Sequence, residues 1–350
     1  MNRSTREPPM LRKINTSTFK RLPLGVEPAA LLAVIPALNE ARHIETCIRS
    51  LMEGSPLLRL VPLVVADGGS TDDTVKIVKS LMVEYPNLHL IVNPKRLQSA
   101  AINLAVATKA TPDTRWLIRC DAHSIYPQNF ILHVVEALQR TGAASVVIPM
   151  DAVGETCFEK ANAWVVDTLL GSGGSHHRGG NQSRYVDHGH HAGFDIIWFR
   201  STGGYDESFS HNEDAEYDYR VGRAGGKIWL DADIRIEYVP RGSVRALARQ
   251  YFNYGKGRAK NARKNNVGLK LRQAAPLFVL AACVLGLVGG LFQWQAFLLP
   301  AGYLSVLLGA SVSLAMTHKS ACGLLSGIAA GTMHLAWASG FVWQSVTGKR

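Results

Sequence analysis

A chain of 350 residues, 47% hydrophobic and only 19% charged, can bury a large core, and disorder over most of its length is excluded. The formal net charge of +11 is uneven: residues 1–240 hold 25 Lys and Arg against all 27 Asp and Glu, whereas residues 241–350 hold 13 Lys and Arg and no acid. A generally basic nucleic-acid binder is thereby excluded, and no nucleic acid is expected as a partner.

Residues 1–29 read as a basic, flexible segment in which no continuous apolar core predicts a signal peptide. From residue 30 to 240, short β-rich runs alternate with helical spacing, the pattern of an α/β domain. Residues 30–36 predict a buried strand, and 41–52 a helix with Ile44, Ile48 and Leu51 on one face. A strand over 60–66 follows, and Thr71-Asp-Asp-Thr74 opens a helix carrying Val75, Val78 and Leu81. A strand at 88–92, a helix at 99–107 and a strand at 116–119 repeat the scheme. Ligands of such sheets bind beyond the carboxyl ends of the strands. That places Pro36, Asn39 and Glu40, then Asp67, Gly68 and Gly69, then Arg119, Asp121 and His123 around one pocket. Carboxylates beside glycines and helix N-termini suit a nucleoside diphosphate; residues 67–73 equally fit an ordinary capped turn.

Ten basic residues crowd into 241–272, a basic amphipathic segment for a membrane interface, and none of Asp, Glu, Lys or Arg occurs from Gln273 to His318. Phe292-Gln-Trp-Gln295 divides that run into stretches at 274–291 and 296–316, and a third, Gly-rich stretch covers 321–343. Each approaches the roughly 20 residues that span a bilayer. Three spans are expected over 273–350, with a third stretch that re-enters or lies on the surface as the alternative. The basic cluster before the first span places the large domain on the cytoplasmic side of an inner membrane in a multi-pass chain. Cys47, Cys120, Cys157, Cys283 and Cys322 are odd in number and contain no CxxC pair, so reduced thiols are expected.

Six motifs in order resemble the family 2 glycosyltransferases. They are Val34-Ile-Pro-Ala-Leu-Asn39-Glu40, Val65-Ala-Asp67-Gly-Gly-Ser-Thr71-Asp-Asp-Thr74, Gln98-Ser-Ala-Ala-Ile-Asn103, Asp121-Ala-His123, Gly203-Gly-Tyr-Asp-Glu207 and His211-Asn-Glu213-Asp214-Ala-Glu-Tyr-Asp218. Asp187-His-Gly-His-His191 and Gly-Lys-Gly-Arg258 before an apolar tail are similar to bacterial succinoglycan-type exopolysaccharide glucosyltransferases. The resemblance implies a GT-A-type nucleotide-diphospho-sugar transferase fold over about 30–240 with C-terminal transmembrane helices. It also implies an inverting transfer of a sugar, glucose from UDP-glucose foremost, to a polyprenyl-diphosphate-linked saccharide among membrane lipids.

On that resemblance Pro36, Asn39, Glu40, Asp67, Gly68, Gly69, Asn103, Arg119 and Asp121 would bind the nucleotide sugar. Asp121 and His123 would hold a divalent cation, Mn²⁺ or Mg²⁺, to offset the charge of the leaving diphosphate. His123 stands where relatives carry a second Asp, and His188, His190 or His191 could supply a further ligand. Asp214 is the candidate base, Glu213 the second choice, and either could simply cap its helix. The glycine-laden run 171–180 reads as an acceptor loop. Tyr205 and Trp198 would stack on acceptor sugars or fill the core; His191, Tyr205 and Arg258 are the acceptor or pyrophosphate candidates, and the other basic residues could anchor to lipid. A processive polysaccharide synthase is disfavoured by the missing Gln-X-X-Arg-Trp signature, and an inactive scaffold by the intact Asp67, Asp121 and Asp214.

Overall fold

The computed structural model describes residues 25–173 and 182–348; most of the basic N-terminal segment and of the run 171–180, and the last two residues, lie outside the described residues. Strands β1 (Leu31–Ala37), β2 (Leu63–Asp67), β3 (Leu88–Val92) and β4 (Trp116–Arg119) are linked by helices α1 (Ile44–Leu51), α2 (Thr74–Glu84) and α3 (Gln98–Lys109). β5 (Ser124–Ile125), α4 (Phe130–Thr141), β6 (Ser145–Ile148), β7 (Met150–Ala152), α5 (Cys157–Val166) and α6 (Leu169–Ser172) follow. Then come β8 (Arg184–Val186), β9 (His190–Asp195), α7 (Ile196–Ser201), α8 (Glu213–Arg223), β10 (Ile228–Leu230), β11 (Ile236–Tyr238) and the long α9 (Val244–Asn265).

The main sheet has the order β3-β2-β1-β4-β9-β6-β10-β8, and β5-β11-β7 form a small second sheet. β1 to β4 pair in parallel, while β9 runs antiparallel to both β4 and β6. Strand alternation sends Leu31, Ala33 and Ile35 to a core under α1, α2 and α4, and Leu32 and Val34 to a second core under α3, α7 and α8. The expected strands at 88–92 and 116–119 stand as read. β2 begins only at Leu63, because residues Pro56–Arg59 form a 3₁₀ turn whose Leu57 N–H is accepted by Ser55 Oγ.

Beyond α9 come α10 (Leu271–Gly289), α11 (Leu298–Thr317, preceded by a 3₁₀ turn at Trp294–Phe297) and α12 (Ser326–Thr347, preceded by one at Ala321–Leu325). All three are long and apolar enough to cross a membrane. One expectation fails: Cys157 at the start of α5 and Cys322 before α12 form a disulfide, with Cα atoms 4.8 Å apart at a sequence separation of 165. Only tertiary packing of α5 on the end of α11 and the start of α12 brings them together, so spacing could not show the pair.

Candidate active site

The tips of β1 and β2 are laced together by their own polar groups. Asn39 takes a left-handed conformation (φ 57°); its N–H donates to Ser70 Oγ at 2.8 Å and its Oδ1 accepts from Thr71 N–H at 2.8 Å. Glu40 N–H donates to Thr74 Oγ1. Asp67 is buried, with Oδ2 accepting from the Gly69 and Ser70 N–H groups and Oδ1 from the Ser70 hydroxyl. Gly69 sits at φ +81°, a conformation costly for any other residue. These bonds make one preformed rim. Behind it a cavity of about 190 Å³ is lined by Pro36, Glu40, Gly68, Gln98, Asp121 and His123, among others.

Next to Asp121, and lining a second, larger cavity, the Arg119 guanidinium is buried between three groups. Nη1 donates to the Tyr205 hydroxyl at 2.9 Å, Nε lies 3.7 Å from Asp121 Oδ1, and Nη2 lies 3.7 Å from Glu213 Oε1. Gln98 Nε2 donates to Asp121 Oδ1 at 3.0 Å. Burial alone would raise the Asp121 carboxyl, but His190, Arg119 and His123 together hold it below its ordinary value. Glu213 goes the other way: burial, reinforced by the negative charge of Asp214, pushes it up to about 7 against the pull of Arg119. One arginine thus faces an ionised carboxylate and one that titrates near neutrality.

His190 and His191 are consecutive in β9, so their side chains point to opposite faces. His190 Nε2 stands 3.4 Å from Asp121 Oδ2, and burial lowers its basicity to about 4, so it is neutral at physiological pH. His191 is sealed away: Nε2 lies 2.7 Å from Asp218 Oδ1 and Nδ1 2.7 Å from the Tyr205 hydroxyl. Because Arg119 already donates to that hydroxyl, the consistent arrangement has Tyr205 donating to Nδ1 and His191 donating from Nε2 to Asp218. The other Asp218 oxygen is 2.7 Å from His188 Nδ1. Asp218 therefore clamps both flanks of the residue that faces Asp121.

Two expectations are corrected by this burial. His191 and Tyr205 are 1% and 2% exposed and line neither cavity, so they brace Arg119 from beneath instead of meeting acceptor. Asn103 also lines neither cavity: its amide donates to Tyr205 O and Glu207 Oε1 and its carbonyl accepts from Tyr205 N–H, pinning the 203–207 loop. Trp198 packs against the second core. Of the three histidines offered as a further ligand, His190 is the one brought to Asp121. Sequence reasoning missed Gln98 and Asp218 as site residues; both stood inside quoted motifs, but only the fold shows whom they touch.

Asp214, at the start of α8, is half-buried and lines a second cavity of about 1740 Å³ that begins at Asp121 and His190. It runs past His188, Arg258 and Arg272 to an apolar end formed by Val279 of α10, Tyr303 of α11, and Met333 and Trp337 of α12. Arg258 Nε is buried without a hydrogen-bond partner among the described residues, and burial together with Arg272 draws its basicity down. Among the described residues no three His, Cys, Asp or Glu side chains gather tightly enough to hold a metal ion. Asp121 and His190 nonetheless present one oxygen and one neutral nitrogen to a common space, with His123 lining both cavities.

Residues 32–202 match the family model described as "Glycosyl transferase family 2". The chain is 45% identical over 316 residues to the succinoglycan biosynthesis protein ExoA of Rhizobium meliloti (strain 1021), covering 90% of this chain and 94% of that one. It is 24% identical over 244 residues to a dolichyl N-acetyl-alpha-D-glucosaminyl phosphate 3-beta-D-2,3-diacetamido-2,3-dideoxy-beta-D-glucuronosyltransferase of Methanococcus voltae, covering 66% and 73% of the two. Among solved structures, the mannosyltransferase PcManGT of Pyrobaculum calidifontis, in complex with GDP-Man and Mn²⁺, superposes with a TM-score of 0.57 at 16% identity, covering 95% of this chain and 92% of that one. That likeness concerns the fold. With 45% identity extending over nine-tenths of its length, the chain belongs to the family 2 glycosyltransferases, and its catalytic domain has the GT-A-type α/β fold.

Proposed function

We propose that this enzyme transfers glucose from UDP-glucose, with inversion, to a polyprenyl-diphosphate-linked saccharide at the cytoplasmic face of the inner membrane, in synthesis of a succinoglycan-type exopolysaccharide. The observation that carries the reading is the single cavity joining Asp214 to the apolar helices: a saccharide at one end and its lipid at the other fit one continuous space. The 45% identity to a succinoglycan biosynthesis protein supports the pathway.

The nucleoside diphosphate would lie in the smaller cavity, where the Gly68-Gly69 turn admits backbone close to it and the rim is set before binding. Asp121 and His190, with His123, would hold a divalent cation, whose positive charge would stabilise the departing diphosphate; a mixed oxygen and nitrogen donor set suits Mn²⁺ better than Mg²⁺. Arg119 fixes Asp121 and Glu213 at their separation and keeps their charges from repelling. Asp214 accepts the proton of the acceptor hydroxyl as its oxygen bonds to the sugar C1, and the C1–O bond to phosphate breaks with its electron pair leaving on the diphosphate. Arg258, whose Nε has no hydrogen-bond partner among the described residues and which lines the cavity leading to the apolar helices, would meet the lipid diphosphate.

Deleting the gene and analysing the lipid-linked saccharides tests this reading. A species lacking the next hexose should accumulate; an unchanged lipid-linked pool would overturn it.

A further inference from the structure

Asp218, one turn after Asp214 on α8, is a carboxylate that the proposed transfer leaves without a task. It is buried, and both its oxygens are occupied. His191 donates from Nε2 to Oδ1 at 2.7 Å, His188 from Nδ1 to Oδ2 at 2.7 Å, and the Gly189 N–H to Oδ2 at 3.4 Å. A carboxylate so placed is closed to an acceptor hydroxyl, which leaves Asp214 as the base of this helix. Burying an ion costs stability unless its partners offset the lost water. The partners here are residues 188, 189 and 191, the neighbours of His190 on both sides.

The backbone of that segment is shaped for the arrangement. In a regular strand residues 188 and 190 would share one face and 191 would take the other. Here β6 pairs Val147 with His191 but Val146 with Gly193, so Ala192 is an extra residue on β9, a bulge of the kind that re-aims a neighbouring side chain. Ahead of it Gly189 lies against Val147, where an added Cβ would come within 2.5 Å of Val147 Cγ2. Any side chain at 189 would therefore push the segment off the sheet. Seated by Gly189 and held by Asp218, the chain leaves His190 facing away from His191, with its Nε2 3.4 Å from Asp121 Oδ2.

We propose that Asp218 is a positioning residue: through His188, Gly189 and His191 it fixes the backbone from which His190 reaches Asp121, and so sets the spacing of those two donors. This rests on the divalent cation proposed above for Asp121 and His190. Asp218 itself touches neither the ion nor a reacting atom. A ligand held in place before the ion arrives loses less freedom on binding, and the groups behind a metal ligand commonly govern about 10- to 100-fold of affinity. A carboxylate that only satisfied two buried imidazoles would instead act on the melting temperature and leave ion affinity of the folded protein unchanged.

Mn²⁺ binding to the full chain in nanodiscs, followed by the paramagnetic resonance signal of the free ion, tests it. Asp218→Ala should raise the Mn²⁺ Kd about tenfold or more, and Asp218→Asn, which keeps one oxygen, should raise it less. His190→Ala should itself raise the Kd, and in that background Asp218→Ala should change it by less than about threefold, because the side chain it positions is gone. An equal effect of Asp218→Ala in both backgrounds, or a wild-type Kd with only a lowered melting temperature, would overturn the positioning role and leave the cation reading standing. An unchanged Kd in His190→Ala would overturn both. If the alanine variant does not fold, Asp218→Asn carries the same pair of measurements, with a rise expected beside His190 and none beside His190→Ala; no rise beside His190 overturns the proposal.

Discussion

Around the tips of β1 and β2 nearly every polar side chain is satisfied by a neighbouring loop, whereas around α8 charged groups face one another in burial with altered protonation. Asn39, Asp67 and Ser70 shape a mould and hold it still before any ligand arrives. Arg119, Asp121, Glu213 and Asp214 are close-set charges at the mouth of a long cavity, and their geometry matters through the electrostatics it enforces. The difference teaches where substitutions should strike chemistry and where they should strike order.

Asp121→Ala should have the largest effect, abolishing transfer and weakening UDP-glucose binding in calorimetric titration, while His123→Asp should keep activity and shift the metal preference toward Mg²⁺. Full turnover in excess chelator would move both residues to the structural side of the comparison. Next, Asp214→Asn should lower kcat about 100-fold or more with donor affinity nearly unchanged, the usual scale for a lost general base. Glu213→Gln should do less; if the two variants exchange phenotypes, Glu213 is the base.

A third prediction concerns pH. The folded protein keeps a proton on Glu213 up to about pH 7, whereas the unfolded chain releases it near the ordinary value of 4.5. The native state thus binds more protons in that window, so Glu213 makes stability fall as pH rises from about 4.5 to 7. Melting curves of Glu213→Gln should lose that part of the slope; an unchanged slope would mean that Glu213 is ionised throughout. The smallest effect on chemistry is expected at Asn103→Ala. Breaking three hydrogen bonds to the 203–207 loop should cost about 1–3 kcal/mol of stability, read as a lower melting temperature, with the KM for UDP-glucose unchanged. A raised donor KM would return Asn103 to the ligand.

The sheet was legible because its strands are apolar runs closed by polar tips, and Leu88–Val92 and Trp116–Arg119 fell where alternation and punctuation put them. Helix α1 begins at Ile44, later than its apolar spacing suggests, because the chain first turns through the left-handed Asn39 and ties Ala41 N–H to Asp72. At the site, Arg119, Asp121 and Asp214 could be found because each closes a strand or opens a helix at the sheet's ligand edge. His191, Tyr205 and Asn103 could not be told apart from ligand contacts, since a motif does not say whether a side chain faces the cavity or braces what does. The Asp218 clamp and the Cys157–Cys322 contact join segments far apart in sequence, which no local pattern encodes.

The central claim is that one cavity serves both the reacting centre and a lipid anchor. Purified enzyme in nanodiscs, given radiolabelled UDP-glucose and the same saccharide either on polyprenyl diphosphate or on a short water-soluble aglycone, tests it most directly, with Arg258→Gln beside the wild type. The account predicts lipid-extractable product from the wild type, at least about tenfold lower kcat/KM on the soluble acceptor, and a loss in Arg258→Gln confined to the lipid-linked one. Equal turnover of both acceptors, unaffected by Arg258→Gln, would contradict it.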